Sequence, residues 1–231
     1  MSKVRLYLVR HGKTMFNTIG RAQGWSDTPL TAEGELGIHE LGIGLRESGL
    51  QFDRAYSSDS GRTIQTMGII LEELGLQGKI PHRMDKRIRE WCFGSFDGAY
   101  DGDLFMGLIP RIFNVDHVHQ LSYAELAEGL VEVDTAGWAE GWEKLSGRIK
   151  EGFEAIAKEM EEQGGGNALV VSHGMTIGTI VYLINGMHPH GLDNGSVTIL
   201  EYENGQFTVQ VVGDRSYREL GREKMEETNN Q

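Results

Sequence analysis

Cysteine is almost missing from this chain: Cys92 stands alone, so no intrachain disulfide can form, which suits a reducing compartment. Long apolar runs are missing too. No stretch reaches the roughly 18 apolar residues that a membrane span requires. The N-terminus, MSKVRLYLVRHG, interrupts its apolar run with Arg5 and has no small-residue cleavage site after it, so no secretory signal is expected. A cytoplasmic protein that touches no membrane is the expectation. Positive charge is in short supply as well: 22 Lys and Arg face 34 Asp and Glu, for a net charge of −12. No local basic patch relieves it, so nucleic acid is not an expected partner. Any anion bound here has to be held by a few well-placed cations, which draws attention to Arg10 and Arg62.

What remains is ordinary globular material. The 231 residues are 39% apolar and 24% charged, enough for one α/β domain with an insertion and a large core. No repeat or low-complexity linker marks a domain boundary. The oligomeric state stays open, a homodimer included. Glycine is plentiful, at 32 residues, and Gly37, Gly42, Gly44 and Gly68 fall inside helical patterns, where each costs up to about 1 kcal/mol relative to alanine. Close packing is one reason to keep them.

The run VRLYLV, residues 4–9, reads as a buried strand that stops at Arg10. Thr31 caps a predicted helix from about 32 to 47 with Leu36, Leu41 and Leu45 on its apolar stripe, and 52–57 reads as a short strand. Ser60 caps a helix marked by Ile64, Met67, Leu71 and Leu74, and 79–83 reads as another strand. Residues 98–136, rich in Gly and Asp, read as an insertion with helical patterns near 103–112 and 122–131. A long helix is predicted from Trp138 through Met160, ending at Gly164-Gly165-Gly166. A strand at 168–172, continuously apolar as in parallel sheets, then opens into a helix at 175–184. Asn204-Gly205 turns a hairpin between 196–202 and 206–212, and a flexible tail is expected from about 215. The expected fold is a three-layer α/β/α sandwich, with a mostly parallel sheet, an antiparallel edge hairpin and a helical insertion acting as a lid.

Two histidines, His11 and His173, each follow a predicted central strand and each precede a glycine. Open parallel sheets bind ligands outside the carboxyl ends of their strands, so these rings, Arg10 and Arg62 fall at one edge. Arginine offers a rigid fork of donors that matches phosphate oxygens and does not deprotonate. A neutral imidazole beside such a cradle can attack phosphorus and carry the phosphoryl group covalently.

Five segments in this order resemble the histidine phosphatase superfamily, which includes the cofactor-dependent phosphoglycerate mutases: LVRHGKTMFN, AQGWSDTPLTAEG, SSDSGRTIQT, RIREWCFGSFDG and VVSHG. The resemblance implies that His11 is phosphorylated, that Arg10, Arg62 and His173 bind the transferring group, and that Glu90 protonates the leaving oxygen. It places Asn17, Gln23, Gly24 and Gly174 around the same group, and calls for no metal and no cofactor. His11 must be neutral to attack, and a carbonyl near Gly12 is the expected partner for its ring N–H. Glu90 must be protonated to act as an acid, which burial beside Trp91 and Phe93 favours; a salt bridge to Arg87 or Arg89 is the bland alternative. Asn17 and Gln23 either donate to substrate or cap their own loop.

Departures from the family pattern matter. The mutase branch carries extra basic residues after the acid segment, whereas GAYDGDLFMG is acidic here and Arg111 stands alone, so a phosphatase acting on a small phosphorylated substrate is expected over a mutase. Asp97 stands where the family often has glutamate. Tyr100, Leu104, Phe105, Met106, Leu108, Ile109 and Phe113 either roof the leaving group or pack the insertion itself. Two other classes compete. The pairs His117/His119 and His188/His190, near Asp116 and Asp193, would point to a metal protein, and loss of any of the five site residues would have pointed to an idle phospho-ligand binder.

Overall fold

A computed structural model describes residues 3–189 and 191–229. The strand β1 (Val4–Arg10) is followed by a short helix α1 (Met15–Thr18), the helix α2 (Ala32–Glu47), strand β2 (Arg54–Ser57), helix α3 (Gly61–Glu73) and strand β3 (His82–Met84). After the insertion helices α4 (Ile109–Phe113) and α5 (Tyr123–Val133) come α6 (Trp142–Glu162), β4 (Gly166–Ser172), α7 (Gly174–Asn185), β5 (Val197–Glu203), β6 (Gln206–Asp214) and α8 (Ser216–Asn229). The six-stranded sheet runs β3-β2-β4-β1-β5-β6. β3, β2, β4 and β1 are parallel, while β5 and β6 are antiparallel.

Alternation along β1 builds both layers. Val4, Leu6 and Leu8 enter the cluster formed with α5, α6 and α7, whereas Tyr7 and Val9 enter the one formed with α2 and α3. The expected α/β/α sandwich is therefore present. The edge hairpin turns as expected, with Asn204 at φ 54° and Gly205 at φ 78°, both positive as a type I′ turn requires.

Several predicted elements differ. The segment from 215, expected to be a flexible tail, is α8, laid along α2. Its attachment is ionic: Arg218 and Arg222 reach the buried Glu40 at 2.7 and 3.0 Å. Burial pulls the Glu40 carboxyl up, but the two guanidiniums outweigh it and hold it below its usual range. Close approach makes the crossing, and it accounts for three of the four helical glycines. A Cβ on Gly44 would run into the Tyr217 carbonyl, one on Gly37 would meet Arg218 at 2.9 Å, and one on Gly42 would meet Glu73 at 2.6 Å. Gly68 has open space around it, and nothing in the structure explains it. Gly44→Ala is therefore expected to destabilise the fold by about 1–3 kcal/mol, seen as a lower urea midpoint at unchanged slope.

Leu36, placed on the apolar stripe of α2, is 49% exposed, and Trp138, placed at the start of the long helix, is 71% exposed. α6 begins instead at Trp142 because Asp134 takes the N–H groups of Ala136, Trp138 and Ala139, holding that stretch as a loop. Within the insertion, residues 102–108 form a π-helix that runs into α4. Pro110 has no N–H to give to the carbonyl one α-turn back, so one α-helical bond is missing where the π-helix meets α4. No helix among the described residues is long and apolar enough to cross a membrane.

Candidate active site

Register brings the two histidines together. β1 and β4 pair in parallel with Arg10 opposite Ser172, and the His11 N–H donates to the Ser172 carbonyl at 3.0 Å. The next residues, His11 and His173, then lie side by side, with ring centroids 5.3 Å apart. Both leave the carboxyl ends of central strands, where an α/β sheet presents ligands.

His11 is 3% exposed, and its Nδ1 sits 2.8 Å from the Gly12 carbonyl. A carbonyl only accepts, so Nδ1 carries the proton and Nε2 keeps its lone pair. Burial, then the positive charges of Arg62 and Arg10, hold the imidazole well below its ordinary value of 6.5. A depressed value means the ring stays neutral until the pH falls well below 6.5. In ¹⁵N NMR the ring is expected to keep the shifts of a neutral Nδ1–H tautomer as the pH is lowered through 6.5. A titration centred near 6.5 would contradict this.

Arg62, in the first turn of α3, is fully buried. Its Nη1 donates to the Ser26 carbonyl and to Asp27 Oδ1, each at 2.9 Å, and its Nη2 donates to the Gly24 carbonyl at 2.8 Å. Nη2 also lies 2.9 Å from His173 Nδ1, which must accept because a guanidinium only donates. The His173 proton is therefore on Nε2, directed at Ser58 Oγ 2.7 Å away, and Ser58 in turn faces Thr63 Oγ1 at 2.9 Å. Both ring nitrogens of His173 are thus engaged by the protein. The ring thereby holds one amino group of Arg62 in place. Burial, Arg62 and His11 keep it uncharged as well.

Arg10 gives Nη1 to the Leu192 carbonyl. Its Nε and the Nε of Arg62 are buried with no acceptor among the described residues. Such a group costs about 1–3 kcal/mol, more when charged.

Glu90 lies against the N-terminus of α7. Its carboxylate accepts from the N–H groups of Trp91 (3.0 Å), Met175 (3.1 Å) and Thr176 (2.9 Å) and from Thr176 Oγ1 (3.0 Å). The salt-bridge alternative is not formed: Arg87 pairs with Asp85 and Arg89 with Asp59. Trp91 and Phe93 are buried beside Glu90 as expected, yet donors rather than apolar groups face its oxygens.

Arg10, His11, Asn17, Gln23, Glu90 and Gly174 line one cavity of about 200 Å³. Gly24, Arg62 and His173 do not line it. Gln23 is tied into its loop, accepting from Thr14 Oγ1 at 2.7 Å and donating one Nε2 hydrogen to Thr28 Oγ1 at 2.9 Å. Gly24 is spent as well, giving its N–H to Asp97. Asn17 completes the cap of α1 through Oδ1; among the described residues no acceptor takes its Nδ2. In the insertion, Leu104 and Ile109 pack the core, Phe105 lines the cavity, and Met106 is 79% exposed. Roof and self-packing are therefore divided among different residues.

The family model for the histidine phosphatase superfamily (branch 1) matches residues 6–215. The chain belongs to the histidine phosphatase superfamily. The protein named "Probable phosphoglycerate mutase GpmB" from Salmonella choleraesuis is 30% identical over 93% of this chain and 94% of its own length. The crystal structure of phosphoglycerate mutase from Bacillus anthracis matches with TM-score 0.90 at 37% identity, covering 96% of this chain and 97% of that one. An alpha-ribazole phosphatase from Shigella flexneri shares the fold, with TM-score 0.68 at 24% identity over 92% and 97% of the two chains.

Sequence reasoning assigned no role to several residues that build this histidine phosphatase site. Asp97, whose meaning was open, accepts from the N–H groups of Gly24, Trp25 and Ser26. It thereby fixes the two carbonyls that receive Arg62. Asn194 donates to the His11 carbonyl at 2.8 Å and to Asn17 at 3.2 Å. The Leu192 carbonyl had no signal in sequence, because any residue supplies one. Among the described residues, no three His, Cys, Asp or Glu side chains gather as metal ligands. His117 caps a short turn and His188 packs on Tyr123 and Tyr182. His190 lies outside the described residues.

Proposed function

We propose that this superfamily member hydrolyses phosphomonoesters through a phosphohistidine on His11. One observation carries the reading: a buried imidazole whose Nδ1 is tied to the Gly12 carbonyl, which leaves the Nε2 lone pair unused there, lines the cavity together with Arg10, with Arg62 within electrostatic reach. In the first step Nε2 attacks phosphorus, the bond to the ester oxygen breaks, and Glu90 passes a proton to that oxygen. On the acid side of neutrality the ester brings this proton itself, since its second pKa is about 6. Arg10 and Arg62 neutralise the equatorial oxygens, a task that preorganised donors perform without rearrangement. In the second step the Glu90 carboxylate takes a proton from water, the water attacks the phosphohistidine, and inorganic phosphate leaves with His11 neutral again.

The relatives named as phosphoglycerate mutases favour a second reading, in which the acceptor is the hydroxyl oxygen of a phosphoglycerate rather than water. The two are separated by following the phosphoryl group. With an aryl phosphate in EDTA, the phosphatase reading expects inorganic phosphate equal to the phenol released. With 3-phosphoglycerate it expects no 2-phosphoglycerate; interconversion faster than phosphate release would establish the mutase.

A further inference from the structure

Glu90 is held at two ends. Its carboxylate is tied to the amides that open α7, and its backbone is gripped from the opposite side. After the short turn at Lys86–Ile88 the chain extends at Arg89, and side chains take up the carbonyls that secondary structure leaves open there. Ser172 Oγ donates to the Ile88 carbonyl at 2.8 Å, Thr176 Oγ1 to that of Arg89 at 2.7 Å and Trp25 Nε1 to that of Glu90 at 3.0 Å. Arg148, in α6, reaches three of these carbonyl positions. Its Nη1 donates to Arg87 at 2.8 Å and to Arg89 at 3.0 Å, and its Nη2 to Glu90 at 3.2 Å. The buried carboxylate of Glu140 takes the remaining hydrogens, from Nε at 3.1 Å and from Nη2 at 2.6 Å. All five N–H groups of the guanidinium are then used, so none is left for a substrate. Gly152, one turn along α6, permits the approach: a Cβ there would meet Arg87 Cβ at 2.9 Å and Ile88 Cγ2 at 3.0 Å.

We infer that Arg148, its plane fixed by Glu140, is the positioning residue for the acid Glu90: it holds the backbone from which the carboxylate reaches the leaving oxygen. The inference rests on the phosphatase reading, in which Glu90 passes the proton. Proton transfer needs the two heavy atoms within hydrogen-bond reach, and a small displacement of a supporting element is enough to spoil it. Lysine at position 148 keeps the charge but loses the planar fork, so it cannot hold three carbonyls in one arrangement. The attack by His11 does not depend on this grip, and the loss falls on the proton-transfer step.

Phenyl phosphate and p-nitrophenyl phosphate are nearly alike in shape, but phenolate is the more basic leaving group and needs the proton more. Arg148→Lys is expected to lower kcat/KM by about 10²-fold for phenyl phosphate and by less than about tenfold for p-nitrophenyl phosphate, mainly through kcat. In a Glu90→Gln background the same substitution is expected to change the ratio of the two esters by less than about twofold, because the acid it would misplace is already gone. Thermal melting shows whether Arg148→Lys is folded. If it is not, Glu140→Gln, which leaves the three carbonyl bonds but loosens the guanidinium plane, carries the same test and is expected to shift the ratio in the same direction. Equal losses on both esters in a folded variant, or an undiminished change of ratio in the Glu90→Gln background, would overturn the positioning role alone. Absence of turnover on both esters in the wild type, or a Glu90→Gln loss that is equal for both, would overturn the reading on which the inference rests.

Discussion

His11→Ala lowers kcat/KM for p-nitrophenyl phosphate by about 10⁴-fold or more, the scale seen when a covalent nucleophile is removed. The size of the effect follows from the site's economy. His173, the other imidazole within reach, has both nitrogens engaged, one by Arg62 and one by Ser58. It has no lone pair to offer, so it cannot take over the attack. On the proposed mechanism Arg10 and the charge of Arg62 still favour the ester in the variant, and binding without a nucleophile leaves only the small advantage of orientation. Unchanged thermal melting accompanies the loss if the defect is chemical. A folded His11→Ala enzyme that keeps more than about a tenth of wild-type activity would remove the imidazole from the reaction.

Glu90→Gln has the second largest expected effect, a loss of about 10²- to 10⁴-fold in kcat/KM, and its signature is dependence on the leaving group. An alkyl ester expels a basic alkoxide that needs the proton, whereas nitrophenolate leaves nearly unaided. The loss is therefore steep for phosphoethanolamine and shallow for p-nitrophenyl phosphate. Glutamine also brings an NH₂ towards Met175 and Thr176, whose N–H groups already donate to that position. This mismatch adds a structural cost, but one that lowers both substrates alike. A uniform loss would assign Glu90 to holding the start of α7 rather than to proton transfer.

Much of the architecture was legible because it is local. The apolar runs of β1 and β4 stop sharply at Arg10 and Ser172, and a strand that ends at a polar residue followed by glycine announces a loop at the ligand-binding edge. Their pairing is not local, and the resemblance to the family supplied what periodicity could not. Helix α8 escaped notice for a physical reason: it docks through Arg218 and Arg222 on Glu40 and through Gly221 at the crossing, and neither leaves an apolar stripe. Trp138 misled in the opposite way. Its ring fits the period of α6, yet a single carboxylate at position 134 commands the preceding amides and keeps the tryptophan out of the helix.

In the site, side chains that carry charge or a ring were foreseeable, whereas their supports were not. Carbonyls of Gly12, Gly24, Ser26 and Leu192 set the tautomer of His11 and the planes of both arginines. Backbone groups leave no mark on composition. Asp97 could be noticed as unusual, but its work, clamping three successive amides, appears only once the chain is folded. For His173 the resemblance directs the ring to phosphate, and the hydrogen bonds add contacts to Arg62 and Ser58 that sequence does not announce.

The central claim is that phosphorus becomes bonded to Nε2 of His11. Enzyme mixed with ³²P-labelled phosphomonoester and quenched in alkali within milliseconds tests it most directly, because phosphohistidine survives base and is lost in acid. The account predicts acid-labile label on the peptide containing residue 11, attached at Nε2 and released at the rate of turnover. Label on serine or on His173, or steady hydrolysis with no labelled protein at any time, would contradict it.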